Sequence, residues 1–68
     1  MQAYRLLTGR DDASFCHKVT AALAAGWQLH GSPAVTFNTA TGETVCAQAV
    51  VKYIPDKTYD PAMKLGEL

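Results

Sequence analysis

The stretch FCHKVTAALAAGWQLHGSP, residues 15–33, decides the fold because it contains both a helical stripe and the signal that ends the helix. Gly26 is that signal, since glycine enters the left-handed region after a helix without a steric penalty. Upstream, Asp11 or Asp12 can accept backbone N–H bonds at the first turn. The pattern predicts a helix over residues 12–25. Its core stripe is set by spacings of three and four and comprises Phe15, Cys16, Val19, Ala22 and Leu23.

Segments of strand-forming residues lie on both sides of this helix. Residues 2–8 precede it, and residues 27–37 and 43–54 follow it, joined by the turn-forming sequence NTATG. Gly31-Ser32-Pro33 interrupts the second segment, and we expect a bulge or bend there because proline cannot donate to a central ladder. The predicted fold class is α+β: a small β-α-β-β domain of residues 1–54, with one helix packed on one face of a three-stranded sheet. The third strand can lie between the first two or outside them.

Alternation along the third strand assigns its side chains to the two faces of the sheet. The entirely apolar set should face the helix: Val45, Ala47, Ala49, Val51 and Tyr53. The mixed set then belongs to the outer face, the sheet face opposite the helix: Thr44, Cys46, Gln48, Val50, Lys52 and Ile54. Arg5 and Leu7 of the first strand are assigned to the same outer face. Trp27, Tyr4 and Tyr53 are expected to be core anchors.

Residues 55–68 form a more polar C-terminal tail. Asp60-Pro61 followed by AMKLG has the pattern of a capped turn with proline at its first position, and we place a short helical turn at residues 61–65. The tail also carries large apolar side chains that are costly to expose. We therefore expect it to dock on the sheet or on a neighbouring subunit.

Length and charge narrow the classes of function. A chain of 68 residues buries only about 60% of the surface that its unfolded form exposes, and Cys16 and Cys46 do not make a disulfide scaffold, so we expect a homo-oligomer. Six basic residues balance six acidic ones, which ranks nucleic-acid binding low. No signal peptide and no membrane-spanning run of about 20 apolar residues is evident. We expect a soluble, cytoplasmic protein without a membrane partner.

Three segments together resemble a known family: YRLLTG at residues 4–9, GWQLHGSP at residues 26–33 and AQAVV at residues 47–51. The chain is similar there to short bacterial and phage proteins that form the domain of unknown function DUF1737. The G-W-x-L-x-G-S-P run is the most specific part of the likeness. The resemblance covers residues 4–51 and supports the domain boundaries, but it implies no activity and no catalytic residues.

Four side chains are of the types that bind zinc: Cys16, His17, His30 and Cys46. Adjacent residues on a helix point about 100° apart, so Cys16 and His17 can hardly reach one ion, and we expect no metal site. A nucleophilic pair of Cys16 with His30 lacks a third group to orient the base. The sequence therefore favours a binding protein over an enzyme, with no cofactor and no catalytic residue.

The alternation of side chains along the strands predicts that five polar residues lie together on the outer face and form the candidate site: Arg5, Gln28, His30, Gln48 and Lys52. Our leading hypothesis is a non-enzymatic, homo-oligomeric binding or protein-interaction module that uses this face. The alternative is a small-molecule-binding or weakly catalytic site around His30 and Arg5, which two subunits could share.

Overall fold

The computed structural model describes residues 1–68 and contains the predicted α+β elements in the predicted order. Strand β1 spans Gln2–Arg10, helix α1 Ala13–Ala24, strand β2 Gln28–Asn38 and strand β3 Glu43–Tyr53. A short 3₁₀ helix at Leu65–Glu67 follows in the tail. The expectation of one helix on one face of a three-stranded sheet is confirmed.

Strand β3 lies in the centre of the sheet, which has the order β1-β3-β2. It pairs antiparallel with both neighbours: Gln2 lies opposite Tyr53 at one end of β1, and Gln28 lies opposite Val51 at the start of β2. Strands β1 and β2 therefore point in the same direction, and α1 is the crossover between them. The third strand lies between the first two, which is one of the two positions that the sequence left open.

Both ends of α1 form where local chemistry predicts them. Asp12 is the N-cap, and its carboxylate accepts a hydrogen bond from the backbone N–H of Ser14 at 2.9 Å. At the other end Gly26 has φ +97°; its N–H donates to the Leu23 carbonyl, and the Trp27 N–H donates to the Ala22 carbonyl. These two bonds make a Schellman motif, in which Trp27 packs back against the helix. The turn at Gly26 thus places Trp27 in the core.

The core lies between α1 and the sheet and is small. Its buried residues are Ala3, Leu7, Ala22, Trp27 and Val50, with Phe15 and Val19 of the helix packed against them. Trp27, only 3% exposed, is the core anchor that we expected. The register pairs Leu7 with Gln48 and Arg5 with Val50, and paired residues of an antiparallel ladder share a face. The helix therefore covers the set with Gln48 and Val50.

This placement corrects the assignment of faces made from the sequence. The strand residues were grouped correctly by parity, but α1 covers the mixed set and leaves the apolar set, Val45 to Tyr53, on the outer face. Tyr4 and Tyr53 are consequently 53% and 69% exposed, so their expected core role is wrong. Cys46 is buried, whereas Cys16 is exposed on the flank of the helix, against expectation.

The mixed set can face the core because its polar atoms find partners there. The buried amide of Gln48 donates to the carbonyls of Ala49 (2.9 Å), His30 and Gly31 (both 3.3 Å). Lys52 reaches past the Trp27 ring, and its Nζ donates to the Ala25 carbonyl at 2.7 Å. Hydrogen bonding at these positions removes the cost of burying polar atoms, which a count of apolar residues leaves out.

The expected irregularity in β2 lies between His30 and Ala34, where the pairing shifts against β3. Three residues, Gly31-Ser32-Pro33, stand opposite the single residue Gln48, and Gly31 has φ +72°. The Gln48 amide bonds the two carbonyls that begin this bulge. Proline is thus accommodated in an edge strand at a bulge, as its missing N–H requires.

The tail folds back over the helix side of the domain. The Asp60 carboxylate accepts a hydrogen bond from the Ala62 N–H in a turn that contains Pro61, and the 3₁₀ helix begins at Leu65. Leu68 packs against the core, and its main-chain oxygen accepts a hydrogen bond from Lys52 Nζ at 2.6 Å. The helical structure in the tail thus lies C-terminal to Lys64, compared with the predicted residues 61–65.

The domain is less compact than its size allows. Its radius of gyration is 13.6 Å, whereas a compact chain of this length has about 11 Å. Its accessible surface is 4818 Å², against about 4,200 Å² for a folded monomer of 7.3 kDa. In agreement with this extra surface, only 7 of the 68 residues are buried.

Helix α1 is not long and apolar enough to cross a membrane.

Candidate functional site

The outer face of the sheet is covered neither by α1 nor by the tail. The register defines its members through residue rows that cross all three strands: Tyr4–Val51–Gln28, then Leu6–Ala49–His30, then Thr8–Ala47–Ala34. Val45 extends this face toward the hairpin and Tyr53 extends it toward the opposite end. The two aromatic rings and Leu6 are each more than half exposed. An uncovered apolar surface therefore runs along β3 and the adjoining part of β1.

The middle of this face has a recognisable shape. Ala47 and Ala49 occupy the central strand, while larger side chains stand beside them on β1 and further along β3, namely Leu6, Val45 and Val51. Short alanine side chains leave space above the sheet that a side chain from a facing surface can fill. The face therefore combines projecting residues with a shallow centre.

Charge is nearly absent from the outer face. Arg10 lies at one end of β1, where its guanidinium forms an ion pair with Glu43 at 2.6 Å. Polar groups border the apolar centre on the β2 side, where Gln28 and His30 are exposed. An apolar centre with a polar border is the arrangement found at protein–protein interfaces.

The five residues of the candidate site divide between the two faces. Gln28 and His30 lie on the outer face, opposite Val51 and Ala49. Arg5, Gln48 and Lys52 lie on the helix side, because they alternate with Val51 and Ala49 along the ladder. The sheet therefore separates His30 from Arg5, and one chain does not form the alternative site that pairs them.

Arg5 and Lys52 instead meet at the aromatic ring of the core. The Arg5 guanidinium carbon lies 5.3 Å from the centroid of the Trp27 ring, and Lys52 Nζ lies 5.8 Å from it. Both distances fall within the range of cation–π attraction. The two cations therefore belong to the helix side, next to the tail.

The cysteines and histidines do not come together either. Cys16 lies on α1 and His30 on the outer face, so the sheet separates the proposed nucleophile from its base. Burial raises the pKa of the Cys46 thiol, and the neighbouring Asp11 carboxylate raises it further. No group of three or more His, Cys, Asp and Glu side chains is placed to hold a metal ion.

Tyr4, Leu6 and Val51 are apolar residues of the outer face, but none of them was among the predicted site residues. The sequence pattern had assigned the apolar sets of β1 and β3, to which they belong, to the face under the helix. One signal pointed the other way. Gly9 lies on the same face of β1 as Ala3 and Leu7, and a glycine inside a strand often marks the close approach of another element. A Cβ at Gly9 would lie 3.2 Å from Phe15 Cδ1 of the helix. That glycine identifies the side on which α1 packs.

Comparison with protein families identifies the chain. The model of the domain of unknown function DUF1737 matches residues 1–53, which is most of the sequence, and the chain belongs to this family. The match ends at Tyr53, the last residue of β3, so the tail lies outside it. Searches among curated proteins and among solved structures gave no match.

Proposed function

We propose that this member of the DUF1737 family is a non-enzymatic protein-interaction module that self-associates through the outer face of its sheet. The observation that carries the proposal is the continuous apolar centre of that face, formed by Tyr4, Leu6, Ala49, Val51 and Tyr53 without an unpaired charge. Exposed apolar surfaces of this kind mark interaction sites on small proteins.

The surface area of the domain supports an interface of ordinary size. The accessible surface exceeds that of a compact monomer of the same mass by about 600 Å². A standard protein–protein interface removes about 800 Å² from each partner. One interface on the outer face would therefore bring the exposed surface per chain back to the range of a compact fold.

A second copy of the chain fits this face better than a charged partner does. The face carries no unpaired charge that would select a basic or acidic surface, which also ranks nucleic acid low. It has projecting Leu6 and Tyr4 beside the short Ala47 and Ala49. In a twofold arrangement the projecting residues of each copy fill the shallow centre of the other, as in sheets that pack about 10 Å apart.

The cytoplasm suits the module, because both cysteines are free thiols. Secreted domains of this size usually join their cysteines in disulfides. The separation of Cys16 from His30 also supports a role in binding and not in nucleophilic catalysis.

Matched substitutions on the two sides of the sheet test the proposal. Leu6 on the outer face and Leu29 on the helix side are equally exposed, at 54%. We expect multi-angle light scattering to give at least twice the chain mass of 7.3 kDa for the wild type and for Leu29→Lys, but a monomer for Leu6→Lys. Circular dichroism verifies that both variants are folded. A monomeric wild type at 50 to 100 µM, roughly, or equal effects of both lysines, would refute the proposal.

A further inference from the structure

A cavity of about 360 Å³ lies on the helix side of the domain, between β1, the C-terminal half of α1 and the tail. Its walls are partly apolar, with Ala25, Trp27 and Leu68, and partly charged, with Arg5, Lys18 and Glu67. This volume falls at the small end of the range for small-molecule sites, about 300 to 1,000 Å³. The cavity is separate from the outer face because the sheet lies between them.

Arg5 is the unusual member of this cavity. Its side chain is half-buried against Trp27, yet the guanidinium makes no hydrogen bond and no ion pair within the chain, whose single ion pair joins Arg10 to Glu43. A guanidinium carries five N–H donors in a rigid plane. By contrast, Lys52 Nζ donates hydrogen bonds to the carbonyl oxygen of Ala25 and to the main-chain oxygen of Leu68. Arg5 therefore holds unused donors next to a preformed cavity.

The charge around the cavity is positive. Lys18 Nζ donates to the Thr8 carbonyl at 2.8 Å, which holds a second cation at the rim. Glu67 is the one acidic side chain in the lining, and it forms no ion pair with Arg5, Lys18 or Lys52. Two cations, Arg5 and Lys18, thus line a space that holds one acidic side chain. Concentrating one sign of charge in a cleft attracts ligands of the opposite sign.

We propose that this cavity binds a small molecule with an oxyanion group, a carboxylate or a phosphate, which Arg5 holds and Lys18 helps to neutralise. A guanidinium matches the geometry of both oxyanions with two parallel hydrogen bonds. Ala25 and Leu68 form a wall for the apolar part of the ligand. Arg5 thereby retains the ligand-binding role of the sequence-based alternative, with Lys18 and Trp27 in place of His30.

The tail takes part in this site. Gly66 lies next to Arg5, since a Cβ on it would be 3.6 Å from Arg5 Nη2, and Leu68 lines the cavity together with Trp27. The family match ends at residue 53, so part of the cavity comes from a segment outside the matched region. The site therefore depends on both the family fold and the tail.

Trp27 is the single tryptophan of the chain, so its fluorescence reports directly on this cavity. The full chain is titrated at constant ionic strength and pH with inorganic phosphate and, separately, with butyrate. We expect a saturable change with at least one probe. Saturation by phosphate alone assigns a phosphate ligand, and saturation by butyrate alone assigns a carboxylate. No saturable change with either probe would overturn the proposal.

Substitutions locate the binding. Arg5→Met should weaken the affinity at least about tenfold, because it removes a bidentate charge-assisted contact. Lys57→Met, a loss of an exposed lysine elsewhere in the tail, is the matched control and should leave the affinity unchanged. Where Arg5→Met fails to fold, the exposed Lys18 decides: Lys18→Met should weaken binding several-fold. Equal affinities for Lys18→Met and Lys57→Met would overturn the proposal. Leu6→Lys should retain binding, so this test is independent of self-association.

Discussion

Gln48 was predicted to lie on the outer face but lies under the helix, and of all the residues moved in this way it should have the largest effect on the free energy of unfolding. If it lay on the outer face, replacing its amide would matter little. In the structure Gln48 is 6% exposed and its amide Nε2 donates to three carbonyls, at 2.9 Å to Ala49 and at 3.3 Å to His30 and Gly31. Gln48→Met keeps the length of the side chain and removes these donors. The substitution therefore isolates the hydrogen bonds that hold the bulge of β2.

The expected loss follows from those bonds. An NH₂ group has two hydrogens, so it makes at most two good bonds at once. A net contribution of about 1 kcal/mol each, with carbonyls left unsatisfied, gives a loss of roughly 2 kcal/mol in the free energy of unfolding. In a chain of this size that lowers the midpoint of thermal unfolding by roughly 10 °C. Such a loss is a large part of the stability of a small domain.

Urea unfolding followed by circular dichroism measures this free energy. All variants are compared at one protein concentration, because self-association would make the midpoint depend on it. Gln28→Met is the matched control: Gln28 is exposed on the outer face, and its loss should change the free energy of unfolding by less than about 0.5 kcal/mol. A value for Gln48→Met within that same limit would refute the placement of Gln48 under the helix.

Three further substitutions or reactions test other parts of the structure. Gly26→Ala should destabilise the fold by about 1 kcal/mol or more, because Gly26 has φ +97°; an unchanged thermal midpoint would contradict the Schellman motif. Hydrogen bonds from Ser14 hold the pKa of Asp12 below its ordinary value of 3.8, so this carboxylate contributes stability above that pH and loses it as the pH falls through the lowered pKa. Asp12→Asn should therefore flatten the acid limb of the stability–pH profile, and an identical limb would contradict the cap. In the native protein Cys16 should react rapidly with a thiol reagent and Cys46 only on unfolding, because Cys46 is buried and its pKa is raised; two fast thiols per chain would contradict this burial.

Local signals determined the parts of the fold that were predictable. Asp12 and Gly26 mark the ends of α1 through capping and backbone conformation, which depend on neighbouring residues alone. Pro33 marks the bulge because a missing N–H cannot be paired in any sheet. The bounds of α1 and of the three strands were confirmed to within two residues, and so was the order of these elements along the chain.

The side of the sheet that α1 covers was not predictable from the apolar count. Parity groups residues into faces, but packing decides which face is inside. Trp27 fills much of the core, Gly9 admits Phe15, and the amide of Gln48 is satisfied by backbone carbonyls. Each of these depends on contacts between distant segments. For the same reason the candidate site was divided: Gln28 and His30 kept their predicted face, whereas Arg5, Gln48 and Lys52 lie under the helix or beside the tail.

Contacts between protons of two different chains test self-association through the outer face most directly. A sample that mixes isotope-labelled and unlabelled chains, observed with isotope-filtered nuclear Overhauser spectroscopy, shows only contacts between subunits. We predict cross-peaks that join the methyl groups of Leu6 and Val51 to the rings of Tyr4 and Tyr53. An oligomer whose intersubunit cross-peaks involve Leu29 and Phe37 instead, or a sample with no such cross-peaks, would contradict the account.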